Sequence, residues 1–87
     1  MEEKHMLELC DEITHITETI KMPRKIRENL VKCVDLLKEN GKNNTEKQNN
    51  VMLILEEINT VKTIPPMLRT EIWNLIGKVE SNERANL

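Results

Sequence analysis

Residues 64–79, with the sequence IPPMLRTEIWNLIGKV, decide the fold because an earlier stretch of the chain repeats their pattern. Residues 22–37 read MPRKIRENLVKCVDLL, so a proline in each stretch is followed by apolar side chains at the same distances. The apolar positions that match between the two stretches are Leu30 and Ile72, Val34 and Ile76, and Leu37 and Val79. Their spacing of three and four residues is the period of an α-helix. Each stretch is therefore predicted to form a helix with one apolar face.

A further helix precedes each of these stretches and belongs to the same repeat. Asp11-Glu12-Ile13 matches Glu56-Glu57-Ile58, and apolar residues again recur every three or four positions around them. Each copy is thus a hairpin of two helices with an exposed apolar face, and packing the two copies together would bury both faces. We expect a single all-α domain over residues 1–87, an up-and-down four-helix bundle whose hairpin repeats cover residues 2–40 and 45–82.

The first hairpin is predicted to hold a helix from about Glu2 to about Thr19 and a second helix that starts at Pro23. Proline suits the first turn of a helix, and Gly41 would supply a left-handed cap after the second helix. The residues that these two helices should place in the core share the helical spacing: Met6, Leu9, Ile13, Ile16, Ile20, Ile26, Leu30, Cys33, Val34 and Leu37.

The second hairpin is predicted to begin with a capping box, in which Thr45 and Gln48 satisfy backbone N–H groups at the start of the third helix. The fourth helix would start at Pro65 or Pro66. The core residues expected from these two helices are Val51, Ile54, Leu55, Ile58, Val61, Leu68, Ile72, Leu75, Ile76 and Val79.

The composition argues against several classes of protein. The 87 residues carry a net charge of -2, so bulk charge favours neither nucleic acid nor an anionic membrane. No apolar run approaches the roughly 20 residues that a membrane-spanning helix needs, and the acidic start MEEKHMLELCDE does not resemble a signal peptide. We therefore expect a cytoplasmic protein without membrane contact, in which Cys10 and Cys33 are free thiols in the core.

The sequence predicts neither catalysis nor a cofactor. Glu12 and His15 match one Glu-x-x-His element of the di-iron bundles, but the repeat carries Thr60 where a second histidine would stand. The chain has no glycine-rich phosphate loop, and its only serine is Ser81, near the C-terminus. We expect a non-enzymatic protein with no catalytic, cofactor-binding or metal-binding residues.

Basic side chains cluster at the start of the second helix, and these are Lys21, Arg24, Lys25, Arg27 and Lys32. Such a cluster could contact phosphate groups, but no aromatic residue lies among them to stack on bases. The acidic first helix beside the cluster offers an intramolecular partner for its charge. Nucleic-acid association through this cluster is the alternative function that the sequence leaves open.

Several apolar residues lie outside the predicted core faces. Met52 and Leu53 fall more than about 90° from the core direction of the third helix. Val31 and Trp73, the only aromatic residue of the chain, lie to one side of their helices at matching positions of the repeat. In a small bundle such residues either widen the contact between neighbouring helices or bind a partner. We expect a partner, either a second copy in a homo-oligomer such as a dimer, or another protein.

Two motifs of the repeat resemble a known family. They are the segment PPMLRTEIW at residues 65–73 and the paired stretches Asp11-Glu12-Ile13 and Glu56-Glu57-Ile58, with MPRKIR at residues 22–27. In these motifs the chain resembles a small archaeal group, uncharacterised protein family one-four-seven, and the resemblance covers nearly the whole chain. It implies an archaeal source and a four-helical up-and-down bundle. It brings no known activity, cofactor or catalytic residue.

Overall fold

The computed structural model describes residues 3–39, 41 and 43–85, and within these the side chains of residues 4–80. Four α-helices make up most of this part of the chain, and no strand occurs in it. They are α1 (Glu3–Thr19), α2 (Arg24–Lys38), α3 (Asn44–Asn59) and α4 (Pro66–Ala85). Each helix contacts the next one along the chain, and α1 also contacts α4. The predicted all-α four-helix bundle is therefore confirmed.

Fifteen of the twenty residues that the helical spacing assigns to the core are buried. Burying each large aliphatic side chain contributes about 1.5–3 kcal/mol, so these residues account for most of the force that holds the four helices together. Met6, Ile20, Val34 and Ile54 are half-buried and pack against the core. The buried apolar residues are Leu9, Cys10, Ile13, Ile16, Ile26, Leu30, Cys33, Leu37, Val51, Leu55, Ile58, Ile64, Leu68, Ile72, Leu75, Ile76 and Val79.

Val61 does not take the core position predicted for it. The helix α3 ends at Asn59, so Val61 lies in the connection to α4 and is exposed. Ile64 replaces it, since this residue is buried just before α4 begins. The prediction for Val61 was wrong because the apolar spacing continues two residues past Asn59, where the helix ends.

Two long-range hydrogen bonds fix the packing of α4 against α3. The Gln48 side-chain amide donates to the carbonyl oxygen of Val79 at 2.8 Å, and the Arg69 guanidinium donates to the carbonyl oxygen of Asn59 at 2.7 Å. One bond lies near each end of the α3–α4 helix pair. Both bonds fit two antiparallel helices in a single register. In this register Leu53, in the middle of α3, is level with residues 74–75 of α4.

The start of α3 differs from the predicted capping box. Asn43 is the capping residue, because its side-chain oxygen accepts a hydrogen bond from the backbone N–H of Glu46 at 2.8 Å. Thr45 lies inside the first turn of the helix, and the side chain of Gln48 is buried against α4. The prediction was wrong because Gln48 is engaged in a contact 31 residues away, which a local motif cannot reveal.

The ends of α2 also differ in detail from those predicted. Pro23 precedes the helix with an extended backbone at ψ 145°, so the first helical residue is Arg24. Gly41 has the positive φ expected of it, at 95°. The residue that caps α2 is nevertheless Glu39, which is extended. The start of the first helix predicted at Glu2 lies outside the described residues.

Candidate interaction surfaces

The side chain of Trp73 stands on the outer surface where α3 and α4 meet, and 59% of the residue is exposed. It lines a shallow groove together with five other residues. We call this set the Trp73 groove: Glu56, Asn59 and Thr60 of α3, and Trp73, Ile76 and Glu80 of α4. Trp73 supplies most of its exposed apolar surface, and Glu56 and Glu80 carry carboxylates, so the groove combines an apolar contact with negative charge.

Helix geometry explains why Trp73 is directed outward. Ile72 is fully buried, and each further residue of a helix turns the side-chain direction by about 100°. On its other side Trp73 borders a second depression, which it lines with His5, Asn74, Gly77 and Lys78. A Cβ atom added to Gly77 would have no atom within 4 Å, so the surface beside the indole is open there.

Leu53 and Met52 lie on α3, the helix that contacts α4. Leu53 is 65% exposed. Met52 is half-buried and packs against the core, so it offers less surface to a partner. The register of α3 and α4 puts Leu53 level with residues 74–75, and therefore close in height to Trp73. The structure thus brings three of the four interface candidates onto one adjacent pair of helices.

Val31, the fourth candidate, lies elsewhere. It is 47% exposed on α2, and α2 and α4 do not contact each other in the described part of the chain. It lines an open depression that we call the outer face of α2, formed by Met22, Arg24, Arg27, Glu28, Val31, Lys32 and Asp35. Val31 and Trp73 therefore belong to two separate surfaces.

Three of the five residues in the predicted basic cluster line the outer face of α2, namely Arg24, Arg27 and Lys32. The Arg24 side chain pairs with Glu28 one turn later, with 3.1 Å between Nε and Oε1. Lys21 and Lys25 are exposed but do not line this depression. The face thus combines the exposed side chain of Val31 with three basic and two acidic residues.

Arg69 has a role that sequence reasoning missed. Its Nη1 donates to the backbone oxygen of Asn59 at 2.7 Å and to the side-chain oxygen of the same residue at 3.3 Å. Its Nη2 donates to the backbone oxygen of Val61 at 2.9 Å. These bonds satisfy carbonyl groups where α3 ends and fix the edge of the Trp73 groove. An arginine one turn into a helix that follows a short connection is the only sequence signal for such a cap.

Glu12 and His15, the two residues that match a Glu-x-x-His element, do not belong to a larger group of metal-ligating side chains in the described part of the chain. Among the described residues no three or more His, Cys, Asp or Glu side chains are grouped closely enough to hold a metal ion. The Glu12 carboxylate instead pairs with Lys78 of α4 at 2.6 Å, and His15 is exposed. The side chain of Ser81 lies outside the described ones.

Both cysteines are buried free thiols. Burial raises the pKa of Cys33 to about 12, with the nearby Lys32 acting in the opposite direction. Burial likewise raises the pKa of Cys10, against the charges of Lys38 and Lys47. Both side chains are therefore held in the neutral, unreactive form at neutral pH.

In the described part of the chain, none of the helices combines the length and the apolar character needed to cross a membrane.

Comparison with known proteins identifies relatives but no activity. The Uncharacterised protein family (UPF0147) matches residues 1–81. A curated relative, the UPF0147 protein of the archaeon Methanothermobacter thermautotrophicus, is 30% identical over 69 residues, which cover 79% of this chain and 68% of the relative. No solved structure matches the chain. The family expected from the sequence motifs is thus the one found.

Proposed function

We propose that this chain, which belongs to the uncharacterised protein family UPF0147, is a non-enzymatic helical module that assembles with copies of itself. The smallest such assembly is a dimer. We place the protein in the cytoplasm, where Cys10 and Cys33 stay reduced, and we assign it no cofactor and no catalytic residue. The family has no known function, so the proposal rests on the surface of the bundle.

The observation that carries the proposal is the exposure of Trp73. A tryptophan side chain that becomes buried removes about 150–250 Å² from water. With 59% of the residue exposed, a partner could cover about 120 Å² of it, which corresponds to about 3 kcal/mol at 25 cal/mol per Å². Aromatic residues of this kind dominate the binding energy of many protein interfaces.

Leu53 is a second exposed apolar residue on this pair of helices. It lies on the helix next to Trp73 and close to its height, and its full burial by a partner would add about 1.5–3 kcal/mol. Neither residue is needed to fill the core, since Ile72 and Leu55 beside them are already completely buried. Removing their apolar character should therefore affect assembly more than folding.

The test compares two identical substitutions on different helices. Leu53→Glu alters the proposed surface, whereas Leu7→Glu alters a leucine that is 54% exposed on α1, a helix that does not contact α3 in the described part of the chain. Molar mass in solution is measured by light scattering from low to high micromolar concentration. We expect wild type and Leu7→Glu to self-associate, and Leu53→Glu to remain a monomer with an unchanged far-UV spectrum.

Two results would contradict this proposal. The first is a wild-type protein that stays monomeric at high micromolar concentration. The second is a Leu53→Glu variant that unfolds instead of dissociating, because the residue would then serve the fold.

Nucleic-acid association is the second candidate, and the grouping of Arg24, Arg27 and Lys32 on one face is the observation that favours it. It is the weaker proposal because Arg24 is already paired with Glu28 and the depression has no aromatic lining for bases. Binding to a short RNA that falls steeply with salt and disappears in the Arg24→Glu, Lys25→Glu variant would support it.

A further inference from the structure

We infer that the Trp73 groove of one copy receives the outer face of α2 of a second copy, so that the molecules join head to tail. This inference rests on the self-association proposed above and adds its geometry. It also names both halves of the contact, which are different surfaces of the same chain.

The two surfaces are complementary in charge. The Trp73 groove is lined by the exposed indole of Trp73 and by the carboxylates of Glu56 and Glu80, with no basic residue in the described lining. The outer face of α2 is lined by the exposed apolar side chain of Val31 and by three basic residues. Its two acidic residues are Glu28, which is paired with Arg24, and Asp35. Each surface thus combines an exposed apolar residue with an excess of charge, and the two excesses have opposite sign, as in complementary protein interfaces.

Contact between two Trp73 grooves is electrostatically unfavourable by comparison. A symmetric dimer through this surface would place the Glu56 and Glu80 carboxylates of both copies in one interface, four like charges without a basic partner in the groove. Like charges that face each other across an interface oppose association. Contact between two outer faces of α2 is also less complementary, because basic residues outnumber acidic ones on both copies.

The fold leaves both surfaces available at once. The helices α2 and α4 lie diagonally in the bundle, because each contacts α1 and α3 while the two do not contact each other in the described residues. A molecule bound through its Trp73 groove therefore still presents its outer face of α2. A contact that joins two different surfaces of the same chain is heterologous. Repeating it builds an open chain of molecules, or a closed ring if the rotation from one molecule to the next returns to the first.

The experiment exchanges charges between the two surfaces. The groove variant carries Glu56→Lys and Glu80→Lys, the α2 variant carries Arg27→Glu and Lys32→Glu, and a combined variant carries all four changes. All four positions are exposed, so each protein should keep its helical far-UV spectrum. If a double variant loses that spectrum, the single changes Glu80→Lys and Lys32→Glu replace it. Self-association is measured by sedimentation at equal protein concentrations.

We expect each double variant to associate about tenfold more weakly than wild type, since two favourable charge pairs become repulsive. The combined variant should regain association, because its groove is basic and its outer face of α2 is acidic. Raising the salt from about 0.1 M to about 1 M, which shortens the range of charge interactions from about 10 Å to about 3 Å, should reduce the difference between the proteins.

The outcomes separate this inference from the proposed function. Double variants that associate as wild type does would overturn the head-to-tail contact and leave self-association standing. A combined variant that stays dissociated would also overturn it. A wild-type RNA complex that the α2 variant loses, with self-association unchanged, would assign the outer face of α2 to nucleic acid. A wild-type protein that never associates would refute the proposed function itself.

Discussion

Replacing Arg69 by methionine should lower the stability of the bundle, because this side chain caps α3 from another helix. The last carbonyl groups of a helix have no partner within it, and a cation near that end also interacts favourably with the helix dipole. The guanidinium group of Arg69 supplies the hydrogen-bond donors and the positive charge. Its bonds to the backbone oxygens of Asn59 and Val61 are 2.7 and 2.9 Å long, and a longer bond of 3.3 Å reaches the Asn59 side chain.

The size of the effect follows from these contacts. A hydrogen bond from a charged donor contributes about 1.5–3 kcal/mol, but the bond to Val61 is exposed and is weakened by water. Methionine keeps the apolar stem of the side chain, so the loss comes from the guanidinium alone. We expect Arg69→Met to reduce the free energy of unfolding by about 2–3 kcal/mol, which lowers Tm by about 8–24 °C in a domain of this size. Arg69→Lys should recover part of the loss, since one ammonium group cannot reach both carbonyl oxygens.

Arg27 provides the matched control, because it occupies the position of the repeat that corresponds to Arg69 and is exposed on α2. Arg27→Met should change stability by no more than about 0.5 kcal/mol. Arg27 also lies on the proposed contact surface, so both variants are unfolded in urea at a concentration low enough to keep the wild type monomeric, with far-UV circular dichroism as the signal. Equal losses for Arg69→Met and Arg27→Met would refute the capping argument.

Three further outcomes are expected. Asn43→Ala should lower the free energy of unfolding in urea by about 1 kcal/mol through loss of the cap on α3, whereas Thr45→Ala should have a clearly smaller effect. A larger loss for Thr45→Ala would show that Thr45 caps the helix. Because burial raises the pKa of Cys33 from 9.0 to about 12, the unfolded chain loses this proton first, and stability should fall above pH 9 by about 1.4 kcal/mol per pH unit relative to Cys33→Ala. After the protein has been reduced and the reductant removed, neither Cys10 nor Cys33 should react rapidly with a thiol reagent in the native state. Rapid labelling without urea would show that the thiols are accessible.

The helical spacing predicted the core well because burial in a bundle depends on little else. A residue three or four positions from a core residue points toward the same neighbours, so Leu9, Ile13 and Ile16 could be placed without knowing the partner helices. Leu30 and Ile72, which match in the repeat, are both fully buried. The sequence alone was therefore sufficient for the fold.

The error at Val61 lies at a helix end, and the error in the capping box involves a side chain that another helix engages. Asn43 and Thr45 are both good capping residues, and Gln48, which the capping box would use, donates through its amide to Val79 on α4. Lys47 is buried for a similar reason, since its ammonium group donates to the carbonyl oxygen of Leu37 where α2 ends. Such contacts join residues far apart in the chain, and the spacing of apolar residues carries no information about them.

The interface candidates show a further limit of the helical spacing. It correctly separated Leu53 and Trp73 from the core, because direction on a helix follows from residue number alone. It could not separate Val31 from them, since the position of one helix relative to another is set by the packing of the whole bundle. Only the structure groups Val31 with Arg27 on the outer face of α2, and the proposed head-to-tail contact rests on that grouping.

The repeat allows one chain to carry two exposed surfaces of different charge, as the proposed head-to-tail contact requires. Packing in the core restricts both copies in the same way, so the buried positions stay apolar. The exposed positions are free of that restriction, and there Lys32 of the first copy corresponds to Asn74 of the second, while Val31 corresponds to Trp73. The first copy thus combines a small apolar centre with basic neighbours, and the second a large apolar centre with the acidic residues Glu56 and Glu80. Trp73 is exposed at the position that matches Val31 in the repeat, and the folding of the bundle gives no reason for a tryptophan there. A role in binding would give one.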